Sequence, residues 1–322
     1  MAPRCSAAAL EFVLTILGSA SATPTLTRHP TAQVLEIGNW VALIDCGEGT
    51  QQRLLEARIR PQRLTHIYIS HLHGDHYFGL PGLLSTMHLQ GRTAAVHLFG
   101  PAGLGVILSE IFRYSGTALN YPLHFHPVET TQHTLLYDDP RLSVHSIPMD
   151  HRVPCCGFLF REKPKLRHLL KERLPVGLKP AQLVALKHGY DLLDPATGAV
   201  LLRNEDVSTP PSHPRAYAYC ADSRFRPELA PVLAGVDLMY HEATFLHEKV
   251  ERAEQTGHSS AHQAATLALL AGVKRLLIGH FSARYPDLHP LLDEARAIFP
   301  NTQLATEGKQ IGVMAHVLPA AV

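Results

Sequence analysis

A histidine-rich loop beside an apolar segment limits most strongly what this chain can fold into. The stretch Ser70–Leu84, SHLHGDHYFGLPGLL, places four metal-type side chains close together: His71, His73, Asp75 and His76. The preceding HIYIS reads as a strand, so the loop begins at that strand's carboxyl end. In extended backbone His71 and His73 project to one side and suit one metal ion, whereas the Asp75–His76 step after a turn at Gly74 suits a second. The alternative is chance clustering in a chain with 22 histidines.

Composition narrows the class of protein. The chain has 322 residues, of which 46% are apolar and 18% charged, with a net charge of +1. This is an ordinary globular composition, and it excludes both a disordered chain and a global electrostatic attraction to nucleic acid. Any basic surface must therefore be local. Five cysteines without CxxC spacing argue against a disulfide framework and favour a reducing compartment, which predicts a cytoplasmic protein.

The N-terminal segment MAPRCSAAALEFVLTILGSASA imitates a signal peptide, with a basic residue, an apolar stretch and a small-residue end. Glu11 interrupts the apolar stretch, and EFVLTILG also reads as a buried first strand. We favour the strand. No run approaches the roughly 20 apolar residues of a membrane helix, so no membrane association is expected.

Short apolar runs alternate with longer amphipathic stretches, which predicts an α/β or layered α/β/α architecture. The predicted strands are Phe12–Leu17, Ala32–Ile37, Trp40–Ile44, His66–Ile69, Val96–Phe99, Leu142–Ile147, Ala216–Tyr219, Leu238–Tyr240 and Arg275–Ile278. The predicted helices are Gln51–Ala57, Leu80–Leu89, Leu104–Tyr114, Ala261–Ala271 and Leu291–Phe299.

One segment, residues 161–214, breaks this alternation and predicts an inserted arm and linker within a single domain of residues 1–322. Strands stop there, and two short helices are expected near Lys165–Arg173 and Pro180–Lys187. REKPKLRHLLKERLPVGLKP carries seven Lys or Arg residues against two glutamates. Such a basic face is either a solvated surface or a grip for a phosphate backbone.

Two metal ions need more ligands than one loop offers, and three further residues follow apolar strands: His151, Asp222 and His280. Metal-type residues at the carboxyl ends of several strands predict one site at one rim of a sheet. Each residue alone is more often a hydrogen-bonded structural group. The joint pattern favours a metal site.

The motifs resemble those of the ribonuclease Z family, the tRNA 3′-processing endonucleases of the metallo-β-lactamase fold, in their short bacterial form. HxHxDH marks only the superfamily. The blocks LIDCGEGTQQRL, YHEATF, GHSSAHQAA and GHFSARY occur in the family's order and are more selective. The resemblance runs from about Phe12 to the C-terminus. It implies a four-layer αββα sandwich in which the basic arm binds precursor tRNA, and usually a homodimer.

The resemblance also implies two zinc ions per chain. His71, His73 and His151 would hold one ion, Asp75, His76 and His280 the other, and Asp222 would bridge them. Such a pair lowers the pKa of a shared water, so that hydroxide attacks the phosphodiester and leaves a 3′-hydroxyl on the tRNA. Asp75 would also accept the proton of that water. The residues themselves leave manganese or iron open.

The resemblance further makes His258 the proton donor to the leaving oxygen, oriented by Glu242. The structural alternative for His258 is a loop residue before a helix capped by Ser259 or Ser260. For Glu242 the alternative is an exposed carboxylate at a helix start.

Other residues near these motifs have candidate supporting roles. Asp45 is a candidate acceptor for a zinc-bound imidazole N–H, and Glu48 is a candidate helix cap. Arg284 and Tyr285 are either phosphate or base contacts or structural residues at a strand exit. The chain departs from the family where Arg28 is followed by His29, since Asn is common there.

Three functions compete for this sequence. The first is removal of the 3′ trailer from precursor tRNA. The second is hydrolysis of a small phosphodiester, sulfate ester or thioester on the same scaffold, which would have no use for a basic arm. The third is a metal-stabilised binding module, which would have no use for a proton donor such as His258.

Overall fold

The computed structural model of the chain describes residues 12–314. The beginning of the signal-like segment, with Arg4 and Cys5, lies outside the described residues. Its second half is the buried strand Phe12–Gly18, which confirms the strand predicted there.

Strands and helices alternate through most of the chain, as the apolar pattern predicts. In the described residues the strands are β1 (Phe12–Gly18), β2 (Ala32–Ile37), β3 (Trp40–Ile44), β4 (His66–Tyr68), β5 (Val96–Gly100), β6 (Leu123–Pro127), β7 (Leu135–Asp138), β8 (Leu142–Pro148), β9 (Cys156–Glu162), β10 (His168–Leu169), β11 (Leu192–Leu193), β12 (Val200–Leu202), β13 (Ser208–Thr209), β14 (Ala216–Cys220), β15 (Leu238–Glu242), β16 (Leu276–Gly279), β17 (Thr302–Leu304) and β18 (Gln310–Gly312). The α-helices are α1 (Thr50–Glu56), α2 (Gly74–Tyr77), α3 (Leu80–Leu89), α4 (Gly103–Ser115), α5 (Pro180–Lys187), α6 (Asn204–Val207), α7 (Ala230–Leu233), α8 (Val250–Thr256), α9 (Ala261–Ala271) and α10 (His289–Arg296). Four 3₁₀ turns lie at Pro61–Arg63, Lys171–Arg173, Pro227–Leu229 and His247–Lys249 within the described residues.

Two seven-stranded sheets in the described part share one pattern. Their strand orders are β18-β1-β2-β3-β4-β5-β6 and β17-β16-β15-β14-β9-β8-β7. In each sheet an antiparallel part leads into a parallel run, β3 to β6 in one and β14 to β17 in the other. Because parallel strands end at the same edge, each sheet gathers several strand exits along one rim.

The apolar residues of β3 show how the layers form. Trp40, Ala42 and Ile44 belong to the core between the two sheets, whereas Val41 and Leu43 pack with the helices on the outer face. Both faces of the strand are buried, which explains its continuous apolar sequence. On the far side, α9 and α10 pack on the second sheet. The arrangement is the expected four-layer αββα sandwich.

Several elements of the structure were not predicted from the sequence. Strand β9 is interrupted in sequence by Gly157, yet this glycine is required because a Cβ there would lie 2.2 Å from the Tyr219 carbonyl oxygen. Gly74 was expected at a sharp turn, but it begins α2 without a positive φ and leaves room for the Phe78 ring. The short strands β6, β7, β17 and β18 were not predicted either.

The arm also differs from its prediction. Strands do not stop there, because β10 pairs with β13 and β11 with β12. The helix expected near Lys165–Arg173 is wrong, since that stretch holds β10 and a 3₁₀ turn; pairing with a distant segment overrides local helical spacing. Pro180–Lys187 is helical as predicted. Leu186, Leu192 and Val207 form a small separate core.

The arm leaves and rejoins the second sheet at one point. Arg161 and Glu162 belong to β9, so the inserted segment starts at Lys163 rather than at Arg161. Strand β14, which follows the arm, pairs with β9, and Arg215 forms a bidentate ion pair with Glu162, with both N–O distances 2.7 Å. The two ends of the arm are therefore neighbours. Among the described residues no helix has the length and apolar character needed to span a membrane.

Candidate metal centre

The seven predicted ligands meet at the carboxyl ends of four strands. His71, His73, Asp75 and His76 follow β4, and His151, Asp222 and His280 follow β8, β14 and β16 respectively. Strand β4 belongs to the first sheet, and the other three, β8, β14 and β16, belong to the second. The site therefore occupies the rim where the two sheets face each other. The structure thus brings together residues that are distant in sequence.

The first group contains three histidines around one point. His73 Nδ1 lies 3.1 Å from His71 Nε2 and 3.1 Å from His151 Nε2. The Asp222 Oδ2 atom completes this group, 3.7 Å from His71 Nε2 and 3.9 Å from His151 Nε2.

The second group contains a carboxylate of its own. Asp75 Oδ2 lies 3.4 Å from the Nε2 atoms of both His76 and His280, and these two nitrogens are 3.3 Å apart. Asp222 reaches this group as well, with Oδ1 3.3 Å from His280 Nε2. Asp222 therefore stands between the two groups, as the resemblance implies for a bridging ligand.

The outward ring nitrogens are held by neighbouring groups, which leaves the inward nitrogens with free lone pairs. His151 Nδ1 donates to the Gly257 carbonyl oxygen at 2.6 Å, and His76 Nδ1 lies 2.8 Å from Asp45 Oδ2. His71 Nδ1 lies 3.0 Å from Ser70 Oγ. Hydrogen bonds of this kind fix the tautomer that a metal ligand needs.

Asp45 orients a ligand of each group from a fully buried position. It accepts from His76 directly, and it accepts from the Ser70 hydroxyl at 2.9 Å, which in turn faces His71. The Tyr219 hydroxyl also donates to it at 2.5 Å. Asp45 therefore has the supporting position predicted for it.

A second buried carboxylate, Glu242, serves the other side of the rim. Its Oε1 lies 2.9 Å from His258 Nδ1, and its Oε2 accepts from the Thr244 hydroxyl at 2.6 Å. Since that hydroxyl donates to Glu242, it can accept from His280 Nδ1 at 2.9 Å. Glu242 is fully buried, which excludes the alternative of an exposed helix-start carboxylate.

Two rim residues have strained backbone. Asp45 has a φ of 55° and His280 a φ of 58°, the left-handed region that non-glycine residues seldom adopt. Such conformations cost about 1–3 kcal/mol each and persist where surrounding contacts impose them. Here they turn both side chains into the rim.

The surroundings favour a neutral His71 and an ionised Asp75. At His76 burial lowers the pKa, but the charges of Asp75, Asp222 and Asp45 outweigh burial and raise the pKa well above its usual range. Burial keeps the pKa of His71 well below its usual range, so this ring stays unprotonated at neutral pH. Burial favours the neutral form of Asp75, but the charges and hydrogen bonds of His76 and His280 outweigh it and hold its pKa below the usual range.

The pKa of His258 is shifted in the opposite direction to that of His71. Burial lowers its pKa, but the charge and hydrogen bond of Glu242 outweigh burial and raise the pKa to about 9. A protonated His258 at neutral pH can donate a proton. Of the two serines proposed as caps beside it, Ser260 caps α9 and accepts from the Gln263 backbone N–H at 3.2 Å.

The donor set fits two metal ions. Ligands arranged tetrahedrally around zinc at about 2.0–2.2 Å lie roughly 3.3–3.6 Å from one another. The inward nitrogens and oxygens of both groups lie 3.1–3.9 Å apart. Lone pairs that face one another at these distances form cation sites, and hydrogen bonds on the outer side fix the tautomers of four of the rings, those of His71, His76, His151 and His280.

A cavity of about 580 Å³ opens over the rim. Asp75, Asp222 and His258 line this cavity, and so do three arginines, Arg152, Arg252 and Arg284. The positive side chains suit an anionic substrate. Sequence patterns pointed to Arg284, but not to Arg152 or Arg252, because an isolated arginine in a loop or a helix has no distinctive spacing.

Other predicted residues have different outcomes. The cap role for Glu48 is wrong, since Gly49 precedes α1 and no side chain caps that helix. The Tyr285 hydroxyl accepts from the Leu246 backbone N–H at 3.2 Å, which favours its structural alternative. Arg28 donates to the Tyr285 carbonyl oxygen at 2.8 Å, and His29 Nδ1 lies 2.7 Å from Glu307 Oε2. His29, which stands where the family commonly has Asn, is thus held by Glu307.

A family model, a relative found by sequence and two solved structures resemble the chain. A family model described as "Anti-Pycsar protein Apyc1" matches residues 12–157. A ribonuclease Z from Bacteroides fragilis is 46% identical over 298 residues, covering 92% of this chain and 97% of the relative. The crystal structure of human tRNase Z, short form, superposes with a TM-score of 0.68 at 26% identity, covering 94% of this chain and 99% of that chain. The metallo-beta-lactamase fold protein YhfI from Bacillus subtilis has a TM-score of 0.65 at 17% identity over 93% of this chain and 98% of its own, and it supports the fold alone.

Proposed function

The chain belongs to the ribonuclease Z family, and from that membership we propose that it removes the 3′ trailer of precursor tRNA, leaving a 3′-hydroxyl on the tRNA. The observation that carries the proposal is the convergence of His71, His73, His76, His151 and His280 with Asp75 and Asp222 at one rim. The match extends over 92% of the chain and 97% of the relative.

The metal is proposed to be zinc, two ions per chain, because zinc favours imidazole and carboxylate ligands. His71, His73 and His151 would hold one ion, Asp75, His76 and His280 the other, with Asp222 shared. Bound there, the ions would supply Lewis-acid chemistry that lowers the pKa of water and offsets the charge of the attacked phosphate.

Asp75 is proposed to take the proton of the attacking water. It lines the cavity, and its ionised state at neutral pH is favoured by His76 and His280. A carboxylate with one oxygen directed at His76 and His280 retains lone pairs for a proton.

His258 is proposed to give a proton to the leaving 3′ oxygen of the tRNA. The ring lines the cavity, and the Glu242 carboxylate 2.9 Å from Nδ1 fixes the tautomer and favours the protonated form. This pairing is the physical basis for a general acid at neutral pH.

The arm, residues 163–214, is proposed to hold the body of the tRNA. Lys171 and Lys179 carry no ion-pair partner in the described part of the chain, so their charges are available to phosphates. A small-molecule phosphodiesterase would not need this extension, and that alternative is not favoured.

We further propose a cytoplasmic homodimer in which the arm of one subunit holds the tRNA for the rim of the other. The family resemblance supports this assembly, and the four buried free thiols in the described residues suit a reducing compartment. Light scattering of purified protein during size-exclusion chromatography should give twice the mass of the 35.4 kDa chain.

The direct test is incubation of the zinc-loaded protein with a tRNA carrying a 3′ trailer, followed by mapping of the cut. A single cut after the acceptor stem, with a 3′-hydroxyl on the tRNA and a 5′-phosphate on the trailer, is expected. Cuts spread along the RNA, or hydrolysis confined to small phosphodiesters, would contradict the proposed function.

A further inference from the structure

Thr244, two residues after the end of β15, stands between a candidate metal ligand and the proposed acid. Its hydroxyl lies 2.9 Å from His280 Nδ1 and 2.6 Å from Glu242 Oε2, and the other oxygen of this carboxylate, Oε1, lies 2.9 Å from His258 Nδ1. Thr244 is 3% exposed and Glu242 is fully buried, so solvent barely reaches these contacts. A continuous chain of hydrogen bonds therefore connects the second metal group with His258.

The Thr244 hydroxyl has one proton and three close neighbours that can accept it. These are Glu242 Oε2 at 2.6 Å, His280 Nδ1 at 2.9 Å and the His280 carbonyl oxygen at 3.0 Å. His258 Nδ1 is farther away, at 3.5 Å, and is closer to Glu242. Because a hydroxyl donates only one hydrogen bond, the choice of acceptor decides whether Thr244 supports Glu242.

The tautomer of His280 that binds metal settles this choice. Its Nε2 atom faces Asp75 and Asp222 at 3.4 and 3.3 Å, within the second metal group. When Nε2 serves as a metal ligand, the ring proton is on Nδ1, and Nδ1 donates to the Thr244 hydroxyl. The hydroxyl proton then goes to Glu242, which is the nearest acceptor and carries a charge.

The opposite tautomer of His280 reverses the chain. With the proton on Nε2, the ring donates to a neighbouring carboxylate and its Nδ1 can accept from Thr244. The Glu242 carboxylate then keeps the backbone N–H groups of Ser223 and Thr244, each at 3.1 Å, together with His258. It loses the shorter bond from the hydroxyl. The hold of Glu242 on His258 therefore depends on which ring nitrogen of His280 carries the proton.

The first metal group is linked to the same loop by a different route. His151 Nδ1 donates to the carbonyl oxygen of Gly257, the residue before His258. At Gly257 φ is 75° and a Cβ would lie 2.7 Å from His151 Nδ1, so glycine is required for this contact. Thr244 takes no part in it. Loss of the Thr244 hydroxyl should therefore affect the second metal group and spare the first.

We propose that Thr244 is a positioning residue through which the metal-binding tautomer of His280 holds Glu242, and with it His258, in place for proton donation. Metal binding in the second group and delivery of the proton are thereby coupled. This inference rests on the proposed function, because the proton of His258 goes to the leaving oxygen of the tRNA.

Two substitutions at Thr244 isolate the hydroxyl. Thr244→Val removes it and keeps nearly the same side-chain shape, whereas Thr244→Ser retains it. Thr15→Val is the matched control, because Thr15 on β1 is 1% exposed and its hydroxyl has no hydrogen-bond partner in residues 12–314. All variants are compared with the unaltered protein.

The first measurement is zinc affinity without substrate, by competition with a chromogenic chelator. In Thr244→Val one of the two ions should bind about 10–100-fold more weakly, as when the hydrogen-bond partner of a ligating histidine is removed, and the other should bind as before. Thr244→Ser and Thr15→Val should bind both ions like the unaltered protein. Unchanged affinity for both ions in Thr244→Val, or equal weakening of both, would overturn the inference.

The second measurement compares two substrates with zinc in excess, so that both metal groups are filled. In Thr244→Val, kcat/KM on precursor tRNA should fall about tenfold, while hydrolysis of a nitrophenyl phosphodiester, whose leaving group needs no proton, should stay close to that of the unaltered enzyme. Thr244→Ser should restore cleavage of tRNA. Equal losses on both substrates would show a merely structural role, and an undiminished rate on tRNA would break the proposed coupling.

The proposed function and the inference fail in different ways. If the unaltered protein does not cut precursor tRNA at all, the proposed function is wrong and the inference falls with it. If the unaltered protein cuts at the expected position and Thr244→Val cuts equally well, only the inference is overturned.

Discussion

The rim and the arm are built on different principles. At the rim His71, His76, Asp222 and His280 are at most 2% exposed. Two seven-stranded sheets support these residues. The outward ring nitrogens of the histidines have hydrogen-bond partners at His71, His76, His151 and His280. The arm has a core of three buried apolar residues and strands of two or three residues. Bond cleavage needs groups fixed within a fraction of an ångström, whereas holding a charged polymer needs reach and charge.

The arginine where the arm joins the second sheet and the arginines within the arm differ in the same way. Arg215, where the arm rejoins the sheet, is fixed by its bidentate pair with Glu162. Within the arm, Arg167 donates to the Ser208 hydroxyl at 2.7 Å, and Arg173 donates to the Asp206 carbonyl oxygen at 3.4 Å. Such contacts orient a guanidinium without neutralising it. The comparison predicts that damage to the rim affects every substrate, whereas damage to the arm affects only tRNA.

Asp75→Ala should have the largest effect. It removes a proton acceptor and a candidate metal ligand together, so a loss of about 10⁴-fold or more is expected, both on precursor tRNA and on a chromogenic phosphodiester. Steady-state rates and metal content are measured on the same preparation. Asp287→Ala, an exposed aspartate, is the control and should retain activity. A loss restricted to tRNA would break the proposed division of roles.

His258→Ala should slow cleavage of precursor tRNA by ~10²–10⁴, as for a lost general acid. The effect on a nitrophenyl phosphodiester should be much smaller, because nitrophenolate leaves without a proton. Metal content should not change, and the exposed His289→Ala serves as control. Equal losses on both substrates would remove His258 from the role of proton donor.

Replacement of residues 164–213 by a short glycine-serine turn should cost roughly 10²-fold or more on precursor tRNA. The neighbouring ends of the arm at Glu162 and Arg215 make this variant practicable. Hydrolysis of the chromogenic ester should be retained, and the salt dependence of tRNA binding should become flatter. If both activities fall together, the arm is part of the catalytic structure and the comparison fails.

The sequence predicts the rim better than the arm, for a physical reason. Ala32–Ile37, Trp40–Ile44, Leu80–Leu89 and Ala261–Ala271 have the predicted bounds, because buried strands and helices impose continuous or periodic apolar patterns. In the arm, β10 depends on pairing with β13 about forty residues away, and local spacing does not reveal such pairing.

The sequence predicts one part of the site and misses others. The division of the HxHxDH loop into two ligand groups was predicted, and the structure places those residues in two groups. Other parts had no sequence signal. The link from Glu242 through Thr244 to His280 depends on side-chain positions across two strands. Arg152 and Arg252 come to the cavity through a loop and a helix whose patterns are unremarkable.

Glu242→Gln should give the smallest effect and the finest test of the rim. Glu242 raises the pKa of His258 to about 9, and the protonated ring is the active acid, so activity is lost as pH rises through that pKa. Without the carboxylate the pKa falls, and the alkaline limb of kcat/KM on tRNA should move to lower pH. The exposed Glu251→Gln should leave the profile in place. An unmoved limb in Glu242→Gln would separate Glu242 from the protonation of His258.

Anomalous diffraction from zinc-loaded crystals, collected at the zinc absorption edge, tests the central claim most directly. The account predicts two anomalous peaks per chain about 3.5–4 Å apart, one on each side of the Asp222 carboxylate. A single peak at the rim, or peaks at other histidines such as His97 and His126, whose ring nitrogens lie 3.0 Å apart, would contradict it.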